Sequence, residues 1–297
     1  MENVLTLIAA ADAGLTDESV AAIRAKLKEL GAHVAAPVWL SAGKACDVSF
    51  GHLAPEQADA AARFVLGKAK VDVVAQVLEN RRKMLLVADM DSTMVVGETL
   101  DELAEYAGIK DRIAAITARA MNGEIGFEAA LRERIGLMAG LPESALAETW
   151  EKTALMPGAQ TLVRTMKANG AYCVLVSGGF TFFTTRVREA CGFDVDLGNR
   201  FIFTDGKLAG VEDPILGRET KLATLIKTAG ERKIPLALSA AVGDGANDLD
   251  MIKAAGLGVA YQAKPVVAAE ARVRIDHGDL TALLYAQGYA DADFVTA

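Results

Sequence analysis

The chain has 297 residues, of which 52% are hydrophobic and 24% are charged, and its formal net charge is −8. This composition is typical of a globular protein with a sizeable core and excludes disorder over most of the length. The acidic balance argues against general binding to nucleic acid or to anionic membrane lipids. Three cysteines without a C-x-x-C motif favour a reducing, cytoplasmic location. An acidic N-terminus and apolar runs shorter than about 20 residues predict neither a signal peptide nor a membrane span.

The first 80 residues alternate between strand and helix patterns in the order β-α-β-β-α-β. The strand patterns lie at 3–10, 33–40, 45–51 and 71–77, and the helix patterns lie at 16–30 and 55–66. This order is typical of a ferredoxin-like α+β domain, and a charged segment at 79–83 marks its end. Ser19 stands where a capping box from Thr16 requires Glu or Gln, so we expect no such box. We therefore predict a first domain over residues 1–80.

The pattern changes after residue 83, where apolar runs typical of strands buried on both faces alternate with helix patterns. The apolar runs lie at 84–88, 172–176, 237–242 and 257–260, and the helix patterns lie at 157–169, 180–190, 217–229 and 247–255. This alternation predicts a doubly wound parallel sheet, and hence an α/β fold. Residues 98–151 interrupt it with helix patterns alone. We therefore predict a helical cap inserted into a second domain that covers residues 81–297.

Two carboxylates follow the first apolar run, in the segment Asp89-Met90-Asp91-Ser92-Thr93. Ligands of open α/β sheets bind outside the carboxyl ends of the strands, so this loop is a candidate site. An aspartate is a competent nucleophile toward phosphorus, and a second carboxyl group nearby can protonate the leaving oxygen. Taken alone, the segment would more often be a solvated turn.

Two further segments are candidates for holding an anion. A strand pattern ends in Ser177-Gly178-Gly179 and is followed by a helix pattern, so backbone N–H groups and a helix N-terminus could face a phosphoryl group. Lys221 stands near the start of a later helix pattern, against the usual preference for cations at helix C-termini. Each segment alone could be an ordinary turn or a surface lysine.

The segment VGDGAND, from Val242 to Asp248, is the most specific single signal in the chain. It places Asp244 and Asp248 four residues apart between an apolar run and a helix pattern. Such a pair suits Mg²⁺, which typically takes one or two carboxylates together with phosphate oxygens and waters. The spacing does not fit an EF-hand, and the remaining alternative is an Asp/Asn/Gly turn. Mg²⁺ is therefore the expected cofactor.

These four segments occur in an order that resembles the motifs of the haloacid dehalogenase superfamily. The matching positions are Asp89-x-Asp91-x-Thr93, Ser177, Lys221 and Gly243-Asp244-x-x-x-Asp248. Within the superfamily, residues from about 84 to 290 are similar to the phosphoserine phosphatase family. That resemblance rests on the first motif, Glu98, the stretch AMNG at 120–123, Phe127, Arg134 and the sequence SGGF at 177–180. Residues 1–80 resemble the ACT-type regulatory domains found at the N-terminus of some bacterial members.

The resemblance implies hydrolysis of O-phosphoserine to serine and phosphate, the last step of serine biosynthesis, through an aspartyl-phosphate. It implies that Asp89 attacks phosphorus and that Asp91 is first general acid and then general base. Mg²⁺ would be held by Asp89, the backbone carbonyl of Asp91 and Asp244, and Asp248 would brace the metal loop.

The substrate carries an ammonium and a carboxylate besides its phosphate, so recognition requires an anion and a cation. Glu98 suits the ammonium, and Arg134 suits the carboxylate through its bidentate fork. Without the resemblance, both would about equally well be solvated helix charges. The residues expected to bind substrate are Glu98, Met121, Phe127, Arg134, Ser177, Gly178, Lys221 and Asn247.

Other functions remain open at this point. A transferase that passes the phosphoryl group to an alcohol such as homoserine, or a phosphatase for another small phosphorylated alcohol, would carry the same motifs. A degenerate binding scaffold is disfavoured by the intact Asp89, Asp91, Lys221 and Asp244. For residues 1–80, dimerisation and L-serine sensing are both open, and we expect a homodimer.

Overall fold

The computed structural model describes residues 1–121 and 124–296, and for Met121 it describes the backbone alone. Residues 3–77 form an antiparallel sheet of order β2-β4-β1-β5, in which β3 also pairs with β4. The elements are β1 (Asn3–Ala9), α1 (Asp17–Glu29), β2 (His33–Val34), β3 (Val38–Ser41), β4 (Ala45–Gly51), α2 (Pro55–Leu66) and β5 (Val71–Val77). The single strand expected over 33–40 is thus two short strands. Pro37 lies in the gap and has no N–H to donate to a sheet ladder.

The N-terminus of α1 corrects a second expectation. Ser19 Oγ accepts a hydrogen bond from the N–H of Thr16 at 3.2 Å, and the N–H of Ser19 donates to Thr16 Oγ1 at 3.2 Å. The expectation that no capping box forms at Thr16 was therefore wrong. A serine hydroxyl can accept the bond that a Glu or Gln side chain accepts in the usual box.

The second sheet has six parallel strands in the order β13-β12-β11-β6-β7-β8, which confirms the predicted α/β fold. The strands are β6 (Leu85–Ala88), β7 (Tyr172–Phe180), β8 (Val195–Asn199), β11 (Ser239–Gly243), β12 (Leu257–Tyr261) and β13 (Val273–Ile275), and β9 (Phe201–Thr204) and β10 (Lys207–Val211) form a separate hairpin. Leu86 and Ala88 pack into one core cluster, whereas Leu85 and Val87 pack into another. The continuous apolar run of β6 is therefore explained by burial on both faces.

Helices cover this sheet and also form an insertion between β6 and β7. The inserted helices are α3 (Thr99–Tyr106), α4 (Lys110–Met121), α5 (Phe127–Leu137) and α6 (Ser144–Lys152). The other helices are α7 (Ala159–Ala168), α8 (Thr181–Cys191), α9 (Glu219–Arg232), α10 (Leu249–Ala254), α11 (Pro265–Glu270) and α12 (Ala282–Ala286). Within the described ranges, no helix combines the length and apolarity that crossing a membrane requires.

Buried polar contacts join the N-terminal sheet to the rest of the chain. The guanidinium of Arg81 donates to both carboxylate oxygens of Asp47, at 2.5 and 2.7 Å, and to the carbonyl of Ala286 at 2.8 Å. Asp72, on β5, accepts hydrogen bonds from the N–H groups of the loop 276–278 at 2.7–3.2 Å. The bonds of Arg81 to Ala286 and of Asp72 to the loop link residues more than 200 positions apart, so the two sheets are docked by specific contacts.

The Arg81–Asp47 pair gives a stability prediction, since both side chains are only 10% exposed. Replacing Arg81 with leucine leaves the Asp47 carboxylate buried and unpaired, and such a loss typically costs about 3–5 kcal/mol. We expect a lower urea midpoint of unfolding, measured by circular dichroism. Arg82→Leu is the matched control, because Arg82 is 52% exposed and lies 3.6 Å from its partner Asp293. Its expected cost is below about 1 kcal/mol, and equal effects of the two substitutions would contradict the prediction.

Candidate active site

The predicted motifs meet because the strands that carry them are neighbours. β11, β6 and β7 lie side by side in the middle of the parallel sheet. Their carboxyl ends therefore share one edge, where Asp89 follows β6, Ser177 lies near the end of β7, and Asp244 follows β11. All three residues are buried. They line one cavity of about 130 Å³, which has room for a small molecule.

Lys221 links two of the carboxylates. It is the third residue of α9 and is only 2% exposed. Its Nζ lies 2.7 Å from Asp89 Oδ1 and 2.6 Å from Asp248 Oδ1. Burial alone would lower the pKa of Lys221, but the charges of Asp89 and Asp248 raise it. Lys221 is therefore a permanent cation at the base of the site.

Three carboxylates gather around this lysine. Asp89, Asp244 and Asp248 each place an oxygen within 4.8 Å of the other two. Desolvation by burial, followed by the charge of Asp89, raises the pKa of Asp244 and raises that of Asp248 to about 7. Lys221 and the half-exposed Lys264, whose Nζ lies 3.6 Å from Asp244 Oδ2, give two positive charges to three carboxylates, so the site is short of positive charge. A cluster of carboxylate oxygens with this deficit fits a divalent cation such as Mg²⁺.

Asp248 is held by two short contacts, one to each of its carboxylate oxygens. Oδ1 is paired with Lys221, and Oδ2 accepts a hydrogen bond from the N–H of Gly245 at 3.0 Å. A Cβ on Gly243 would lie 2.3 Å from Asp248 Cγ, so only glycine fits there. Asp248 thus holds the loop that presents Asp244.

Asp91 is held so that one of its oxygens faces the cavity. The N–H and hydroxyl of Thr99 both donate to Oδ1 at 2.8 Å. The hydroxyl of Ser177 donates to Oδ2 at 3.3 Å. Desolvation, followed by the charge of Glu98, raises the pKa of Asp91 to about 7. A carboxyl group with a pKa near neutrality can both give and take a proton.

Ser177, Gly178 and Gly179, near the end of β7, form a polar wall of the same cavity. Ser177 Oγ accepts a hydrogen bond from the N–H of Gly179 at 2.8 Å. A Cβ on Gly178 would lie 3.1 Å from the ring of Phe127, which belongs to the inserted helices. A Cβ on Gly179 would lie 2.9 Å from Asp91 Oδ2. The two glycines therefore let the backbone approach both the cap and the carboxylate pair.

The cap presents one face of α5 to the cavity. Phe127, Leu131 and Arg134 are spaced at i, i+4 and i+7, which puts them on one side of a helix. Within the described part of the chain, no carboxylate lies within 4.0 Å of the Arg134 guanidinium. Arg132 points elsewhere, since it pairs with Glu128 and Asp213. Arg134 is thus the arginine of α5 with a guanidinium available to a ligand.

Other residues expected to bind substrate also lie here. Glu98 and Asn247 line the cavity, and Ser92 Oγ donates to Glu98 Oε1 at 2.9 Å. The structure also adds Lys264, whose Nζ lies 3.6 Å from Asp244 Oδ2. Lys264 follows β12, so the rule for the carboxyl ends of strands could have identified it. The side chain of Met121, which was expected in the apolar lining, lies outside the described residues.

A second cavity adjoins the first, with a volume of about 620 Å³. Phe127, Arg134, Gly178, Asn247 and Lys264 line both cavities. The two cavities are therefore continuous, and the cap helices and the ends of the parallel strands contribute to the lining of the combined space.

Comparison with known proteins identifies relatives of the whole arrangement. A profile of haloacid dehalogenase-like hydrolases matches residues 86–253. The chain is 38% identical to a phosphoserine phosphatase of Streptomyces coelicolor, over 92% of this chain and 68% of the relative. It is 43% identical to a phosphoserine phosphatase of Archaeoglobus fulgidus, over 66% of this chain and 58% of the relative. The chain thus spans about three fifths of the length of these curated relatives.

Solved structures show the same similarity. A haloacid dehalogenase family hydrolase from Salmonella enterica serovar Typhi superposes with a TM-score of 0.82 at 28% identity, over 95% of this chain and 98% of that chain. A probable phosphoserine phosphatase from Vibrio cholerae superposes with a TM-score of 0.79 at 28% identity, over 98% of this chain and 88% of that chain. A substrate-bound phosphoserine phosphatase complex gives 0.64 at 37% identity, over 68% of this chain and 97% of that chain.

Proposed function

The chain belongs to the haloacid dehalogenase-like hydrolase family, and on that premise we propose that it hydrolyses O-phosphoserine to serine and phosphate. The observation that carries this proposal is a single cavity that combines phosphoryl-transfer residues with two opposite charges for the rest of the substrate. Asp89, Asp91 and Ser177 line its base, and Glu98 and Arg134 line its wall. The relatives named phosphoserine phosphatase support the same substrate.

The first half-reaction transfers the phosphoryl group to the protein. A carboxylate oxygen of Asp89 attacks phosphorus, and the bond between phosphorus and the serine oxygen breaks. The proton on Asp91 passes to the departing serine oxygen. Lys221, at 2.7 Å from Asp89, the hydroxyl of Ser177 and the N–H of Gly178 stabilise the negative charge on the phosphoryl oxygens.

The second half-reaction releases phosphate. A water attacks phosphorus of the aspartyl-phosphate, and its proton passes to Asp91, which is now the base. The bond between phosphorus and Asp89 breaks, and both carboxylates return to their starting states. The pKa of Asp91 near 7 supports this exchange of roles at neutral pH.

Mg²⁺ is the proposed cofactor. Asp89, the backbone carbonyl of Asp91 and Asp244 would hold it. When bound, it would supply positive charge to the phosphoryl oxygens during transfer. Asp248 would keep the Asp244 loop in place through its bond to the Gly245 N–H.

The test of function is phosphate release from O-phospho-L-serine in Mg²⁺ and in EDTA, beside phosphothreonine and p-nitrophenyl phosphate. We expect release that requires Mg²⁺ and is fastest with phosphoserine. Cleavage of p-nitrophenyl phosphate alone would refute the substrate but keep the phosphatase activity. Transfer to added homoserine without phosphate release would indicate the related transferase.

Arg134 gives a sharper test of substrate recognition. A charged hydrogen bond is typically worth about 1.5–3 kcal/mol, so Arg134→Met should lower kcat/KM for phosphoserine by roughly 10- to 150-fold. Phosphoethanolamine has the same phosphate and ammonium but no carboxylate, so its kcat/KM should change little. Arg132→Met is the matched control, since Arg132 points away from the cavity. Equal losses with both substrates would rule out the carboxylate role.

We also propose that residues 1–80 act as an ACT-like regulatory or dimerisation domain joined to a phosphatase domain over 81–297. The arrangement of its strands and helices, and the exposed sheet edge at β2 and β3, support this proposal, since open edges favour pairing between chains. Sedimentation of the full chain tests the homodimer, and titration with L-serine tests regulation.

The free, buried Cys46, Cys173 and Cys191 support a cytoplasmic location.

A further inference from the structure

A cleft of about 370 Å³ lies between the N-terminal sheet and the parallel sheet. Its floor consists of residues that precede strands: Lys83 before β6, Ala237 before β11, Gly256 before β12 and Arg272 before β13. The active-site loops follow the opposite ends of these strands. The cleft, which we call the junction cleft, is therefore separated from the active site by the length of the sheet.

Lys83 is the unusual residue of the junction cleft because it is a buried cation. The residue is 4% exposed. Its Nζ donates to the carbonyls of Asn80 at 2.8 Å and Ala237 at 2.7 Å, and both of these residues also line the cleft. An ammonium has three N–H donors, so these carbonyls leave one donor available. Within residues 1–121 and 124–296, no carboxylate lies within 4.0 Å of this Nζ.

A second cation lines the same cleft. Arg272 is exposed, and its guanidinium donates to the carbonyl of Gly256 at 3.0 Å. Among the described side chains, none forms an ion pair with Arg272 either. Glu56 and Glu79 line the cleft and are exposed, but neither carboxylate comes within 4.0 Å of either cation. Two neighbouring cations, one of them buried, thus face this space without an ion-paired carboxylate among the described residues, and the two glutamates of the lining are exposed to solvent.

Placing the two cations Lys83 and Arg272 together costs folding free energy unless a negative group compensates for their charge. Burying a charge without a partner is unfavourable, and like charges repel each other. Burial, followed by the charge of Arg272, lowers the pKa of Lys83 to about 8. An anion between the two sheets would satisfy both of these cations.

We propose that the junction cleft binds a small oxyanion, a carboxylate or phosphate group, between Lys83 and Arg272. The ligand accepts the remaining Lys83 hydrogen bond and pairs with the Arg272 guanidinium. This site is independent of the proposed phosphatase activity, so the two ideas can fail separately.

The test is calorimetric titration of the full chain in EDTA, with inorganic phosphate as one probe and malonate as the other. We expect a dissociation constant of about 1 mM or lower for at least one probe. Arg272→Met should weaken that binding about tenfold by removing a charged hydrogen bond, and Lys83→Met should weaken it as much or more. Arg274→Met is the matched control, since Arg274 pairs with Asp276 and does not line the cleft.

The same variants distinguish anion binding at the junction cleft from anion binding at the active site. Phosphate bound at the active site is unaffected by Arg272→Met, so only the binding lost in this variant belongs to the cleft. Binding of phosphate alone would identify a phosphorylated ligand, and binding of malonate would identify a carboxylate. If Lys83→Met does not fold, Arg272→Met decides, since its side chain is exposed. Native affinity in Arg272→Met, or no binding of either probe, would overturn the proposal.

Discussion

Replacing Asp89 with asparagine is expected to lower phosphate release from O-phosphoserine by about 10⁴-fold or more, because an amide cannot form the acyl phosphate. The fold should tolerate the change. Asp89 lies in a cluster of three buried carboxylates, and its charge raises the pKa of Asp244 and Asp248 after the effect of burial. Removing that charge relieves repulsion, although Lys221 loses one of its two partners.

The measurement pairs steady-state phosphate release with thermal unfolding in EDTA. Asp205→Asn is the matched control. Asp205 is exposed in the turn between β9 and β10 and has a φ of +52°, a conformation that asparagine tolerates. It should keep native activity and stability. An Asp89→Asn protein that is well folded and keeps more than a small fraction of native activity would exclude Asp89 as the nucleophile.

Replacing Lys221 with methionine is expected to damage both stability and activity. The substitution leaves Asp89 and Asp248 buried without the ammonium that lies 2.6–2.7 Å from each of them. Removing one partner of a buried pair typically costs about 3–5 kcal/mol of unfolding free energy. Loss of a charge that stabilises the phosphoryl oxygens should also lower kcat by roughly 10²- to 10³-fold.

Urea unfolding measures the loss of stability in Lys221→Met. Repeating the measurement with Mg²⁺ tests whether the metal stabilises this variant more than the native chain. A divalent cation bound by these carboxylates replaces part of the lost positive charge, so Mg²⁺ should stabilise Lys221→Met more than it stabilises the native chain. Lys227→Met is the control, since Lys227 lies on the same helix, is 75% exposed and has a partner 3.9 Å away. Equal unfolding midpoints for the two variants would contradict the buried-pair argument.

The position of the candidate site was predictable from sequence because its determinants are local. Each motif follows an apolar run, and parallel strands bring the ends of such runs to one edge of the sheet. The paired carboxylates at 89 and 91, the glycines after Ser177 and the VGDGAND segment were all identified in this way. The helical cap was predictable too, since residues 98–151 carry no strand pattern.

Other features depended on residues that are distant in the chain. Pairing of Arg81 with Asp47 joins positions 34 apart, and Asp72 meets the backbone of a loop some 205 positions later. Lys264 reaches the site because β12 lies beside β11. No local pattern distinguishes Arg81, Asp47 and Asp72 from solvated charges, because their partners are set by how the elements pack. For Lys264 the strand end indicates the position, but only packing brings it to Asp244.

The sequence by itself therefore determined the α/β fold class of the part of the chain after residue 83, the order of the candidate site segments and their common edge, since periodicity and strand-end chemistry act over a few residues. Only the tertiary structure decided which charges are buried and what they face. It paired Arg132 with Glu128 and Asp213, placed Lys221 between two carboxylates, and left Lys83 beside a cleft with no carboxylate partner among the described residues. The physical reason is that burial and charge pairing are properties of the docked elements, and docking is set by contacts across the whole chain.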